Sequence, residues 1–103
     1  MPRVALIVIA RLAERSMQRV ELPGHRPLVV FQRHGEYFVT DDICSHGEAA
    51  WSEGELLGYE ILCPHHHGGF DIRSGMPTRA PCVIAIRSYA VRVDDGMLLV
   101  DTE

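Results

Sequence analysis

The chain has 103 residues, 47% of them hydrophobic and 23% charged, with 10 Lys and Arg against 14 Asp and Glu for a formal net charge of −4. That length and composition fit one compact globular domain and exclude a long disordered tail or a second full domain. The mild acidity excludes the clustered positive charge of a nucleic-acid footprint, no stretch approaches the ~18 apolar residues of a membrane span, and three cysteines are an odd number that does not make a disulfide framework.

Taken in chain order, the pattern is of short strands between turns. Residues 3–9 are rich in β-branched side chains and predict a first strand; the apolar run within residues 4–10 also resembles the short core of a secretory signal. Residues 12–16 fit one helical turn or a loop. Residues 17–22 alternate apolar and polar and close at Pro23-Gly24. Residues 27–32 and 37–40 predict a hairpin turning over 33–36, with Gly35 at the turn. Beyond Asp42 the character changes. An irregular loop over 44–50 precedes a glycine-flanked stretch at 53–59 and a short strand at 60–62. A second loop covers 64–69, a short strand 70–72, and a third loop 74–81 holds Gly75, Pro77 and Pro81. Strands at 84–93 and 97–101 then flank a turn at Asp94-Asp95-Gly96. The expected fold is all-β, one domain over 1–103. An antiparallel sandwich or barrel base comes from about 1–42 and 84–103, with a metal-carrying lobe inserted over about 43–83.

Two motifs carry the chemistry, Cys44-Ser45-His46 and Cys63-Pro64-His65-His66, with sixteen residues between His46 and Cys63. Each offers one thiolate and one imidazole from a tight segment. Thiolates suit iron–sulfur clusters, zinc or Cu(I), and imidazole suits zinc, copper and iron. The set therefore has two readings: a structural tetrahedral zinc, or a two-iron cluster with cysteines on one iron and histidines on the other. Common zinc fingers pair Cys with Cys and His with His in separate halves. Here each half supplies one of each, as a two-iron cluster held between two loops requires.

Cys44-Ser45-His46-Gly47 together with Cys63-Pro64-His65-His66-His67-Gly68-Gly69-Phe70-Asp71 closely resembles the signature of the Rieske family, C-x-H and then C-P-x-H followed by G-x-F-D. The resemblance spans about residues 37–101 and more loosely the strands before it. It places Cys44, His46, Cys63 and His66 on the ligand positions of one Rieske-type [2Fe-2S] cluster, and Gly75 and Pro81 in a third, proline-containing loop that covers it. It implies that Cys44 and Cys63 hold the inner ferric iron, and that His46 and His66 hold the outer one with their ring edges toward solvent and the redox partner. Respiratory members carry two further cysteines at the positions of Ala49 and His65, so their disulfide is not expected here. Those members also place hydroxyls where this chain has Gly68 and Phe70. Fewer hydrogen bonds to the cluster sulfurs put the expected potential at the low end of the Rieske range of roughly −150 to +300 mV.

Among members, the chain resembles the ferredoxin component of multicomponent aromatic ring-hydroxylating dioxygenases. That likeness implies a monomeric cytoplasmic electron carrier in aromatic hydrocarbon catabolism rather than an enzyme. It would pass single electrons from an NAD(P)H-dependent flavoprotein reductase to a terminal oxygenase, with no nucleic acid or membrane involved. Its 103 residues are expected to leave no room for the mononuclear-iron domain of an oxygenase large subunit. The alternatives are the small Rieske subunit of an assimilatory nitrite reductase and, in a different class, a structural zinc-binding module. Of the remaining candidates, His65 and His67 are expected to line a loop surface, His25 and His34 to sit solvated in turns, Cys82 to be a small apolar filler and Trp51 to pack. Gly47, Gly68 and Gly69 are expected to let backbone amides approach the cluster.

Overall fold

The structure, a computed structural model, describes residues 4–8, 17–22, 24–42, 50–63, 68–79 and 86–102. Eleven strands appear among these residues: β1 (Val4–Val8), β2 (Met17–Val20), β3 (Leu28–Arg33), β4 (Glu36–Asp41), β5 (Glu55–Leu57), β6 (Glu60–Leu62), β7 (Gly69–Asp71), β8 (Pro77–Arg79), β9 (Ser88–Tyr89), β10 (Val91–Asp94) and β11 (Met97–Asp101). One turn of 3-10 helix, Trp51–Glu53, is the other regular element described. The all-β expectation holds. The strands form three antiparallel sheets, ordered β1-β11-β10, β2-β3-β4-β9 and β5-β6-β7-β8.

Strand β3 explains how the sheets stack. Its Val29 and Phe31 join one buried cluster, with Trp51, Leu56, Ile61, Cys63, Phe70, Ile72 and Ile86. Its Leu28 and Val30 point the other way, into a second cluster with Val39, Tyr89, Leu98 and Val100. Alternate side chains of a strand face opposite sides of its sheet, so a strand covered on both faces reads as the unbroken apolar run Leu28-Val29-Val30-Phe31. The sheet holding β3 is therefore the middle layer, with β11 packed on one side and the β5–β8 sheet on the other.

Two hairpins turn on two residues each, His34-Gly35 and Asp95-Gly96. All four residues have positive φ, between 49° and 78°, as the type I′ turn that matches strand twist requires. Arg33 closes the end of β3 onto the next sheet, donating to the carbonyls of Gly58 (2.9 Å) and Leu56 (3.2 Å).

Two expectations are corrected, and a stretch given no element gains a strand. Within the glycine-flanked 53–59, β5 pairs with β6 from Glu55↔Leu62 to Leu57↔Glu60. The third loop contains β8, whose Pro77 lies opposite Phe70 beside a register shift in the ladder. Because β8 is an edge strand, the missing amide of Pro77 costs no ladder bond. The single strand expected over 84–93 is two strands in different sheets. β9 pairs with β4 and β10 with β11, and the chain changes sheets at Ala90, whose carbonyl still accepts from Asp101 N–H at 2.9 Å. Residues 12–16 lie outside the described residues.

Tyr89, at the crossing between sheets, gives the fold an alkaline limit. Burial, and then the hydrogen bond its hydroxyl donates to the Asp41 carboxylate, pushes the phenol from 10.0 up to about 12. The folded protein keeps this proton after the unfolded chain has released it. The contribution to stability is thus complete below pH 10 and is lost as pH rises toward 12. In Tyr89→Phe that decline should flatten, measured as the difference in urea unfolding free energy between about pH 9 and about pH 11.

Candidate metal centre

Of the four proposed ligands, Cys63 is among the described residues; Cys44, His46 and His66 lie outside them, as do Gly47, Ala49, His65, His67, Pro81 and Cys82. The structure does describe the residues that bracket the two segments holding the proposed ligands, and those that bracket a third segment over 76–85.

The first bracket is built on Asp42, which follows β4 and is wholly buried. Its carbonyl accepts the Trp51 N–H at 2.7 Å. Its carboxylate accepts the Ser52 N–H on Oδ1 (2.7 Å) and, on Oδ2, the Ser52 hydroxyl (2.8 Å) and Arg19 Nη1 (3.1 Å). A buried carboxylate is tolerated only when bonded and paired, and here every bond but the one to Arg19 goes to the far end of segment 43–50. The second bracket is a single bond from Cys63 N–H to the Gly68 carbonyl, 2.7 Å, across residues 64–67. The third spans residues 76–85, where Ile86 N–H donates to the Gly75 carbonyl at 2.9 Å.

The brackets adjoin one another. Gly54 ends the helical turn so close to β6 that a Cβ there would stand 2.0 Å from the Leu62 carbonyl oxygen. The far foot of the first segment thus presses on the residue before Cys63. Trp51 meets Phe70, just past the second segment, edge to face at 4.8 Å between ring centroids. Ile86 of the third bracket belongs to the same apolar cluster as Trp51, Cys63 and Phe70. The feet of all three segments are gathered around one piece of core.

The chemistry of the surroundings fits a sulfur-ligated cluster. Cys63 is 1% exposed, so its sulfur is shielded from water. The indole N–H of Trp51 is buried without an acceptor among the described residues, a donor in the packed core that holds this cysteine. Two thiolates and two imidazoles are a complete donor set for the cluster described above.

The other residues singled out by sequence find plainer roles. Trp51 packs, as expected. His34 is exposed in its hairpin turn, whereas His25 is half-buried, edge-on to Tyr89 at 5.8 Å. Gly69 makes room for side chains: a Cβ there would meet Thr78 Oγ1 at 2.8 Å, Leu62 Cδ2 at 3.0 Å and Glu60 Oε2 at 3.1 Å. Hydrogen bonds from Thr78 and Arg79 lower the pKa of the Glu60 carboxyl from its ordinary value. Asp42 and Ser52 escaped the sequence reading. A bond over ten positions has no local spacing rule, and the one available signal was an aspartate two residues before the first motif.

A model described as the Rieske [2Fe-2S] domain matches residues 3–90. The chain is 46% identical over 99 residues to the ferredoxin component of the p-cumate 2,3-dioxygenase system of Pseudomonas putida, covering 95% of this chain and 84% of that one. A chain in the solved complex of reduced oxygenase and oxidized ferredoxin in carbazole 1,9a-dioxygenase superposes with a TM-score of 0.89 at 34% identity, covering 97% of this chain and 94% of that one. The ferredoxin of carbazole 1,9a-dioxygenase from Nocardioides aromaticivorans IC177 superposes with a TM-score of 0.86 at 31% identity, covering 99% and 98%.

Proposed function

The chain belongs to the Rieske [2Fe-2S] domain family, and from that premise we propose that it is the ferredoxin component of a ring-hydroxylating dioxygenase system. It is an electron-transfer component and not itself the enzyme. The observation that carries this reading is the likeness, over nearly the whole length of both chains, to ferredoxins named for such systems.

Cys44 and Cys63 would hold one iron of the cluster, and His46 and His66 the other. When bound, the cluster supplies a site that gains and loses one electron. The protein's part is to grip, shield and present it. Buried Cys63 keeps water from the sulfur side, and the packed Trp51–Phe70 pair stiffens the floor. Phe70 brings hydrocarbon rather than a hydroxyl to the end of the second segment, in keeping with a potential at the low end of the Rieske range. The segments 43–49 and 64–67 belong, in this reading, to a lobe over about 43–83 carried on a base from the two ends of the chain. The partner oxygenase docks over the histidine edges, and a flavoprotein reductase supplies electrons to a cytoplasmic, monomeric carrier. None of the described helical residues forms a span long and apolar enough to cross a membrane.

The test is replacement. Purified protein is added, in place of the native ferredoxin component, to the reductase and oxygenase of a p-cumate or carbazole dioxygenase system under NADH. Dithionite-reduced protein is expected to show a Rieske-type electron paramagnetic resonance (EPR) signal, and the complete mixture to form the oxygenase's hydroxylated product, which the same mixture without the added protein does not. A protein that takes up zinc and no iron, or a reduced cluster that no oxygenase reoxidises, would sink the proposal.

A further inference from the structure

We infer that Asp42 is a positioning residue for the first ligand pair: its carboxylate locks the two feet of segment 43–50 together and so determines where Cys44 and His46 present their donor atoms. The inference rests on the ligand assignment proposed above and adds to it a residue that touches no metal.

Asp42 stands two residues before Cys44 and four before His46. At roughly 3.3–3.6 Å per residue, the two Cα atoms nearest the bracket are no more than about 7 Å apart, so a shift of the aspartate is passed to the ligand with little slack. On the far side, Trp51 and Ser52 are fastened to the same residue by three bonds, one from each backbone N–H and one from the serine hydroxyl. Both ends of the segment are thus fixed to one side chain and its own carbonyl. That side chain cannot wander, because Arg19 holds its second oxygen and the backbone N–H of Asp42 donates to the Pro27 carbonyl at 2.9 Å. Fold stability alone does not call for this arrangement. An apolar residue of similar volume fills a buried site at lower cost than a carboxylate. Closing the segment in advance removes the loop entropy that cluster binding would otherwise have to meet, and it is this closure on which the bonds are spent.

The experiment uses cluster-loaded full-length protein and reads two quantities: the rate of iron release to a chelator, and the EPR g-values of the dithionite-reduced state. Asp42→Ala is expected to release iron at least about tenfold faster, in line with losing charge-assisted bonds, and to show shifted or broadened g-values. Asp42→Asn keeps an acceptor for Ser52 N–H and is expected to recover most of the native retention and g-values. Should Asp42→Ala fail to fold, Ser52→Ala carries the test. It preserves the Arg19 pair and the Trp51 bond, and is expected to speed iron release severalfold. Arg33→Gln, which loses two bonds between β3 and the β5–β6 hairpin, is the structural control: a lowered thermal midpoint with native g-values. If Asp42→Ala folds and Ser52→Ala releases iron at the native rate, with native g-values in both, Asp42 is not a positioning residue, and the carrier reading stands. If the native protein itself shows no Rieske-type signal, the ligand assignment fails and the inference fails with it.

Discussion

Cys63→Ser protein, purified without oxygen, is expected to be colourless and EPR-silent after dithionite, while its far-ultraviolet circular dichroism remains that of an all-β chain. Serine offers a hard, reluctantly ionised oxygen where the cluster needs a soft thiolate, so cluster loss should be complete. The fold should survive because the exchange is nearly isosteric, in a cluster that also includes Trp51, Ile61, Phe70 and Ile72. Its companions sharpen the reading. His66→Ala is expected to behave in the same way, and Cys82→Ser and His65→Ala to keep colour and signal. Full iron content with a native spectrum in Cys63→Ser would refute the assignment of this sulfur to the metal.

Gly75→Ala is expected to be among the most damaging single changes in the fold. The glycine takes φ +77°, and a Cβ there would stand 2.2 Å from the Ile86 carbonyl oxygen. That oxygen is backbone and cannot swing aside. Gly75 donates its N–H to the Asp71 carbonyl (2.7 Å) and accepts from Ile86 N–H (2.9 Å), so relief by movement breaks one bond or the other. The positive φ costs alanine about 1–2 kcal/mol, and the steric overlap about 1–3 kcal/mol more. Each kcal/mol lowers the melting temperature of a domain this size by roughly 4–8 °C. Gly24 separates the two costs, since it has φ +72° with nothing within 4 Å of the would-be Cβ. Gly24→Ala should show the conformational cost alone. Equal thermal midpoints for the two variants would show that the contact with Ile86 yields more easily than its geometry allows.

The sequence foretold the outer strands well because their signals are local. The stretch at 97–101 is the apolar run Met97-Leu98-Leu99-Val100 closed by Asp101, and Asp95-Gly96 before it is a strong hairpin turn. β3 was visible as a run of four apolar residues, but the reason for the run, cover on both faces, needed the other two sheets. β5 and β8 were missed because glycine and proline read as breakers, and only pairing with β6 and β7 makes three residues into a strand. The two strands within 84–93 read as one because nothing in Ser88-Tyr89-Ala90-Val91 announces a change of partner. The candidate site divides in the same way. Ligand types and spacing stand in the linear chain, as two short motifs. The brackets that gather those motifs do not, because Asp42 with Ser52 and Gly75 with Ile86 become neighbours only through the fold.

The double-sided cover of β3 has a thermodynamic consequence. Val29 and Phe31 hang in the core that also holds Cys63, Val30 and Leu28 in the core that also holds Leu98, and one backbone strand carries both. Neither half can melt while its neighbour stays solid, because losing either set of contacts loosens the shared strand. The core around Cys63 is thereby tied to the core around Leu98, and the chain should come apart in a single all-or-none transition rather than one core at a time.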